Sequence, residues 1–271
     1  MSSAIREWLN LGVRWFHVFA GIMWVGQTYY FTWLDGQFTK LEKQADSNGT
    51  ASKVWMVHSG GFYTVEKQKT LGVAPELVRW FRWEALLTWL AGVILLVLVY
   101  YLGDGMIDPD VADISKGAGI AIGVGAMLAG WIIYDLAVCS PLGNSQGAFA
   151  GFGLVMTAAA WGLTHVFSGR AAYIHLGAIF GTIMTLNVWM RILPAQRRML
   201  AAAAVGEKFN ASQGAQAKLR SKHNTFMAVP VVFLMVSHHY PVATYGSNYG
   251  WEIMVGLVVV GWGAAKLIRE L

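Results

Sequence analysis

"RWFHVFAGIMWVG", Arg14 to Gly26, sets an arginine and a histidine inside an otherwise apolar run. The run continues through Thr28 and Phe31 to Leu34, about the 20 or more residues needed to cross a bilayer as a helix. Ionisable side chains are expensive at that depth, so those that persist there are candidates for function. The rest of the chain repeats the pattern. Of 271 residues, 56% are hydrophobic and 13% charged, about half the charged fraction of an ordinary soluble domain.

Seven spans are expected, at about 10–34, 82–103, 116–139, 147–168, 170–193, 223–240 and 249–268. The fold class is therefore an all-α integral membrane protein, a bundle of about seven transmembrane helices. Residues 1–271 form a single transmembrane helical domain. The first run reads as a span rather than a cleaved signal, because it holds Arg14 and His17 and lacks a small-residue cleavage pattern. Pro230 should kink the sixth span by removing one helical hydrogen bond.

Loop charges orient the bundle. The loop at about 35–82 carries Lys40, Lys43, Lys53, Lys67, Lys69, Arg79 and Arg82, and that at about 194–222 carries Arg197, Arg198, Lys208, Lys218, Arg220 and Lys222. The connection "GDGMIDPDVADIS" (103–115) holds four aspartates and no base. Basic loops stay in the cytoplasm, which places the N-terminus in the periplasm and the C-terminus in the cytoplasm. The net charge of +5 is thus accounted for by membrane orientation, and no nucleic-acid partner is expected. The stretch "VWMVHSGGFYTVEKQK" (54–69) mixes aromatics with charge, as an interfacial amphipathic segment or a re-entrant piece would.

Placed by depth, most of the histidines gather on one side. His17 lies about 10 Å below the outer face. His165, His175, His238 and His239 fall at the outer ends of the fourth, fifth and sixth spans. Imidazoles from facing helices suit haem b, held without covalent attachment. The chain has one cysteine, Cys139, and no Cys-x-x-Cys-His, so it carries neither an internal disulfide nor a covalent c-type haem. The iron-ligand candidates are His17, His165, His175 and His239. Arg14, one turn from His17, is a candidate for a haem propionate or for snorkelling to headgroups. Trp24, on the face of His17, and Trp161, one turn from His165, are candidate walls of the cofactor site.

Four stretches carry a family resemblance: "WFHVFAGIMWVGQTYYF" (15–31), "HSGGFYTVEKQ" (58–68), "WEALLTWLAG" (83–92) and "SKHNTFMAVPVVFLMVSHHYP" (221–241). Together they resemble the membrane domain of the bacterial membrane-bound, cytochrome c-linked urate oxidases, also called urate hydroxylases. The resemblance implies a multi-pass protein of the bacterial inner membrane that oxidises urate or a similar purine and passes electrons to a periplasmic c-type cytochrome. In that family an eighth helix carries the cytochrome domain. This chain ends at "KLIREL" without it, so a truncated chain or a separate cytochrome is expected. His238 stands where the family pattern has asparagine, which makes His239 the better ligand of the two. For the purine, His58, Tyr63, Glu66 and Lys67 offer a base and donors on the inner side, and a site beside the haem stays open. Two other functions compete: a cytochrome b-like electron-transfer or anchor subunit with no substrate site, and a transporter using Asp135, Asn187 and the histidines. The crowding of histidines on one side and the lack of a repeat speak against the transporter.

Overall fold

The computed structural model describes residues 2–44, 53–68, 78–140, 143, 146–207 and 211–270. In chain order it contains α1 (Ser3–Gln44), β1 (Lys53–His58), β2 (Gly61–Glu66), α2 (Trp83–Leu96), α3 (Lys116–Cys139), α4 (Gln146–Thr164), α5 (Gly169–Leu186), α6 (Leu193–Ala204), α7 (Ala211–Val236) and α8 (Gly250–Glu270). Two π-helical segments extend helices: Val97–Tyr101 continues α2, and Asn187–Ile192 joins α5 to α6. Among the described residues the fold is all-α but for one hairpin.

Among the described residues, four helical runs are long and apolar enough to cross a membrane: Trp83–Tyr101, Lys116–Cys139, Gly169–Ala204 and Gly250–Arg269. A fifth apolar stretch, Gly151–Thr164, is shorter. This is the composition of a membrane protein. The helices α1 and α7 are long too, at 42 and 26 residues, but polar residues dilute their apolar stretches: His17, Gln27, Thr28, Tyr29 and Tyr30 in α1, and Arg220, Lys222, His223 and Asn224 in α7. The sequence reading ended the first span near residue 34 and began the sixth near 223. Helix α1 runs on to Gln44 and α7 starts at Ala211. A hydropathy boundary marks where lipid ends, and nothing in either stretch breaks the helix there.

Helix α5 is the centre of the bundle. It is buried nearly all round, from Ala171 to Thr185, as expected of a helix with no polar face. Phe167, Tyr173 and Phe180 are fully buried around it. Its start is tied to the start of α8 by the Tyr173 hydroxyl, which donates to the Gly250 carbonyl at 2.6 Å. Helices α7 and α8 pack where Pro230 meets Gly261: a Cβ at Gly261 would stand 2.8 Å from the proline ring.

The stretch expected as an amphipathic or re-entrant segment is an antiparallel hairpin, with Lys53 opposite Glu66 and His58 opposite Gly61. Its two-residue turn has positive φ at both positions, 49° at Ser59 and 75° at Gly60, the geometry that matches strand twist. Val54 and Val65 face Leu34, Phe38 and Leu41 of α1, while Trp55, Val57 and Phe62 point outward. Period-two alternation therefore governs this loop, not a helical period.

Candidate functional site

Four of the histidines share one local arrangement. His165 Nδ1 lies 2.7 Å from the Trp161 carbonyl, His175 Nδ1 2.8 Å from that of Ala171, and His238 Nδ1 2.5 Å from that of Met235. His17 Nδ1 reaches across to the Thr88 carbonyl at 2.8 Å. A carbonyl on Nδ1 fixes the tautomer and leaves Nε2 as the coordinating nitrogen, the second-shell pattern of metal-bound imidazoles. The ring chemistry thus fits haem ligation.

The positions fit it only in part. The His17 ring lies on Gly92, where a Cβ would be 3.0 Å from Cε1. His175 instead meets Tyr101, whose hydroxyl is 3.3 Å from Nε2. Gly92 and Tyr101 are nine residues apart on one helical run, about 13 Å of rise. The expected single layer splits because α1 is shifted along α2: Gly21 packs on Thr88 and Phe31 on Phe81. His17 consequently sits level with the middle of α2.

His175 is also enclosed. Phe167 stacks on it at 4.4 Å, and a Cβ at Gly123 would be 2.7 Å from Nε2. His165 and His239 are exposed at the end of the bundle where α2 and α7 finish. His165 rests on Trp161, with ring centroids 4.3 Å apart, and His239 on His238 at 3.8 Å. Among the described residues no three His, Cys, Asp or Glu side chains gather to hold a bare metal ion.

Arg14 turns back along α1, bonding the Asn10 side chain at 3.0 and 3.3 Å. Trp24 is buried in the main core. The inner-side candidates lie on the hairpin. His58 and Tyr63 are exposed, Glu66 faces Lys53 at 3.9 Å, and Lys67 bridges to Asp35 at 3.2 Å and Glu42 at 3.7 Å. Outside the apolar part of α1, burial pushes the Asp35 carboxyl up, but Lys218 and Lys67 outweigh it and hold the group below its usual range. Lys67, Asp35, Glu42 and Lys218 form a solvated ion-pair cluster beside the hairpin.

A dense polar constellation among the described residues lies at the opposite end of α5 from His175. Arg220, only 3% exposed in its side chain, lies 2.7 Å from Asp135 and donates to the Asn187 side chain at 2.9 Å. Arg191 also pairs with Asp135. Asn187 donates to the Tyr134 hydroxyl at 3.0 Å and to Asn224 at 2.9 Å, and Tyr134 meets His223 Nδ1 at 2.9 Å. Asn187 opens the π-helical segment between α5 and α6, and such segments recur at functional sites. Asp135 and Asn187 stood out in the sequence as polar residues in apolar runs. In the sequence Arg220 reads as a loop charge, because α7 extends past the apolar boundary, and Arg191 lies inside the fifth span without standing out.

A family model described as Urate oxidase N-terminal matches residues 3–269. No curated protein and no solved structure matches the chain.

Proposed function

The chain belongs to the urate oxidase N-terminal family, and from that premise we propose that it is the membrane part of a urate-oxidising enzyme of the bacterial inner membrane. The match over residues 3–269 is the observation that carries the proposal. Urate gives up two electrons, which leave to a periplasmic c-type cytochrome on a separate chain or domain rather than to oxygen. About seven spans, with the N-terminus outside, place the acidic connection 103–115 and the histidine-bearing helix ends on the cytochrome's side, as the loop charges require.

Haem b belongs to this proposal. We take His165 and His239, both exposed at the end of the bundle where α2 and α7 finish, as its ligands in preference to His17, which packs against the middle of α2, and His175, which is buried. Bound there, the haem would supply one-electron steps between urate and the cytochrome. The chain's own part is to fix each ring through its Nδ1 contact or stacked neighbour, and to hold Trp161 against His165.

The test is anaerobic addition of urate to the purified chain in lipid nanodiscs, followed by visible spectroscopy. A b-type α-band that grows with urate supports the proposal, and it should vanish in His165→Ala or His239→Ala while surviving in His17→Ala. A haem-free protein after expression with ample haem contradicts the cofactor. A haem that dithionite reduces and urate does not contradicts the substrate.

A further inference from the structure

One face of the β1–β2 hairpin packs on α1, and the other carries exposed apolar side chains. Trp55, Val57 and Phe62 are 68, 70 and 80% exposed. They share a side, because alternate residues of a strand face the same way and Val57 stands opposite Phe62. That face is graded along its length. Lys53 and Glu66 pair at the base, 3.9 Å apart; Trp55 opposite Thr64 comes next, and Val57 opposite Phe62 lies beside the turn. Contiguous exposed apolar surface of this kind marks a contact with a partner or a membrane.

The contacts with α1 give the hairpin its direction. Lys67, just past the base, bridges to Asp35 and Glu42 at 3.2 and 3.7 Å. Met56, closer to the turn, accepts from the Tyr30 hydroxyl at 3.2 Å. From base to turn the hairpin therefore runs back along α1 toward its apolar part, which ends near Leu34. The apolar end of the graded face is the end nearest the bilayer. At the same level Tyr30, Phe31 and Trp33 of α1 are exposed, and aromatic rings of this type concentrate where a span meets the headgroups.

We propose that Trp55, Val57 and Phe62 form a docking surface for the lipid of the inner leaflet, seated where headgroups meet acyl chains. There the three side chains leave water, while Lys53 at the base stays level with the headgroups, where a basic group meets anionic lipid. The free edges of a two-stranded sheet cannot enter hydrocarbon with their backbone groups unpaired. The seat is therefore shallow, about 5–10 Å, as for other interfacial amphipathic segments. Hydrophobicity alone would suit a second copy of the chain equally well; the alignment of the polar-to-apolar gradient with the bilayer favours lipid. The inference rests on α1 crossing the membrane over about 10–34 and is independent of the urate reading.

Nitroxide depth measurements test it on the full chain in nanodiscs of phosphatidylcholine and phosphatidylglycerol. The background is Cys139→Ser, which keeps an acceptor for Arg220. Single labels go on Lys53→Cys, Val57→Cys and Phe62→Cys, with Ile22→Cys as the mid-span reference; all four positions are exposed. Relaxation by oxygen, which partitions into the bilayer, is compared with relaxation by a water-soluble nickel chelate. The oxygen-to-nickel ratio should be several-fold higher at Val57 and Phe62 than at Lys53, and lower than at Ile22. Equal, low ratios at all three hairpin positions mean a solvated face and overturn the proposal. Labels closed to both probes mean that protein covers the face, a second copy or another chain, and overturn it too. A low ratio at Ile22 overturns the α1 span along with the proposal, so the two failures are told apart. Monodisperse elution checks that each variant is folded. If a labelled variant is not, tryptophan quenching by lipids brominated near the headgroup takes its place. The emission lost in Trp55→Phe should be emission those lipids quench in the wild type; emission they leave untouched overturns the proposal.

Discussion

Asp135→Ala is the perturbation whose cost the structure defines most sharply. Asp135 faces two arginines, and they differ in how they can respond. The Arg191 side chain is 44% exposed and the Arg220 side chain 3%, so on losing Asp135 the first turns to water and the second cannot. Arg220 would keep Asn187 at 2.9 Å, the Asp135 carbonyl at 3.4 Å and Cys139 at 3.3 Å, all neutral groups. An uncompensated buried charge of this kind costs about 3–5 kcal/mol. Arg191→Met removes only the half-exposed partner and should cost less than about 1 kcal/mol. The double variant Asp135→Ala/Arg220→Met removes the stranded charge and leaves chiefly the Asn187 oxygen short of a donor, about 1–3 kcal/mol. Equilibrium unfolding in mixed micelles reads all three. The reasoning fails if Asp135→Ala costs under 1 kcal/mol, if Arg191→Met costs as much, or if the double variant is no better than Asp135→Ala alone.

Other consequences are more local. Gly123→Ala should destabilise by about 1–3 kcal/mol, the usual cost of overpacking, because its methyl would stand 2.7 Å from His175 Nε2 and 2.9 Å from the Tyr101 hydroxyl; an unchanged unfolding midpoint contradicts this. Gly60→Ala forces a side chain onto φ 75° at about 1–2 kcal/mol, so hydrogen exchange in residues 53–66 should quicken while the helical core is unaffected. Asp35 carries a pH signature. Its folded pKa lies below the unfolded value of about 3.9, so its stabilisation is present above that value and is lost as pH falls through the folded one. The carboxylate is 40% exposed, which limits the effect to under about 1 kcal/mol. The stability gap between wild type and Asp35→Asn should be present at neutral pH and fade below about pH 4; a gap that persists at pH 2 refutes the ion-pair account.

What the sequence made legible was set by period and hydropathy. Long apolar runs announced α2, α3, α5 and α8, because a stretch with no polar face has to be surrounded by protein or lipid. The same signal misplaced the ends of α1 and α7, where charged residues continue a helix beyond the apolar part. The hairpin was hidden by its aromatics, although Ser59–Gly60 between two β-branched runs carries the turn chemistry. Depth counted along each span put His17 beside His175, since counting assumes that every helix starts at the same level. The contact of His17 with Gly92 shows that α1 does not. The stacking of the Arg82 guanidinium on Trp189, more than a hundred residues away in sequence, was equally hidden. Tertiary offsets of that kind leave no trace in local pattern.

The central claim, oxidation of urate with electrons delivered to a c-type cytochrome, is tested most directly by mixing the purified chain in nanodiscs with urate and an oxidised c-type cytochrome. The account predicts urate-dependent cytochrome reduction, two cytochromes per urate consumed, continuing without oxygen and with no hydrogen peroxide formed. Urate consumption that requires oxygen and releases peroxide in equal amount, or a cytochrome that stays oxidised while urate persists, would contradict it.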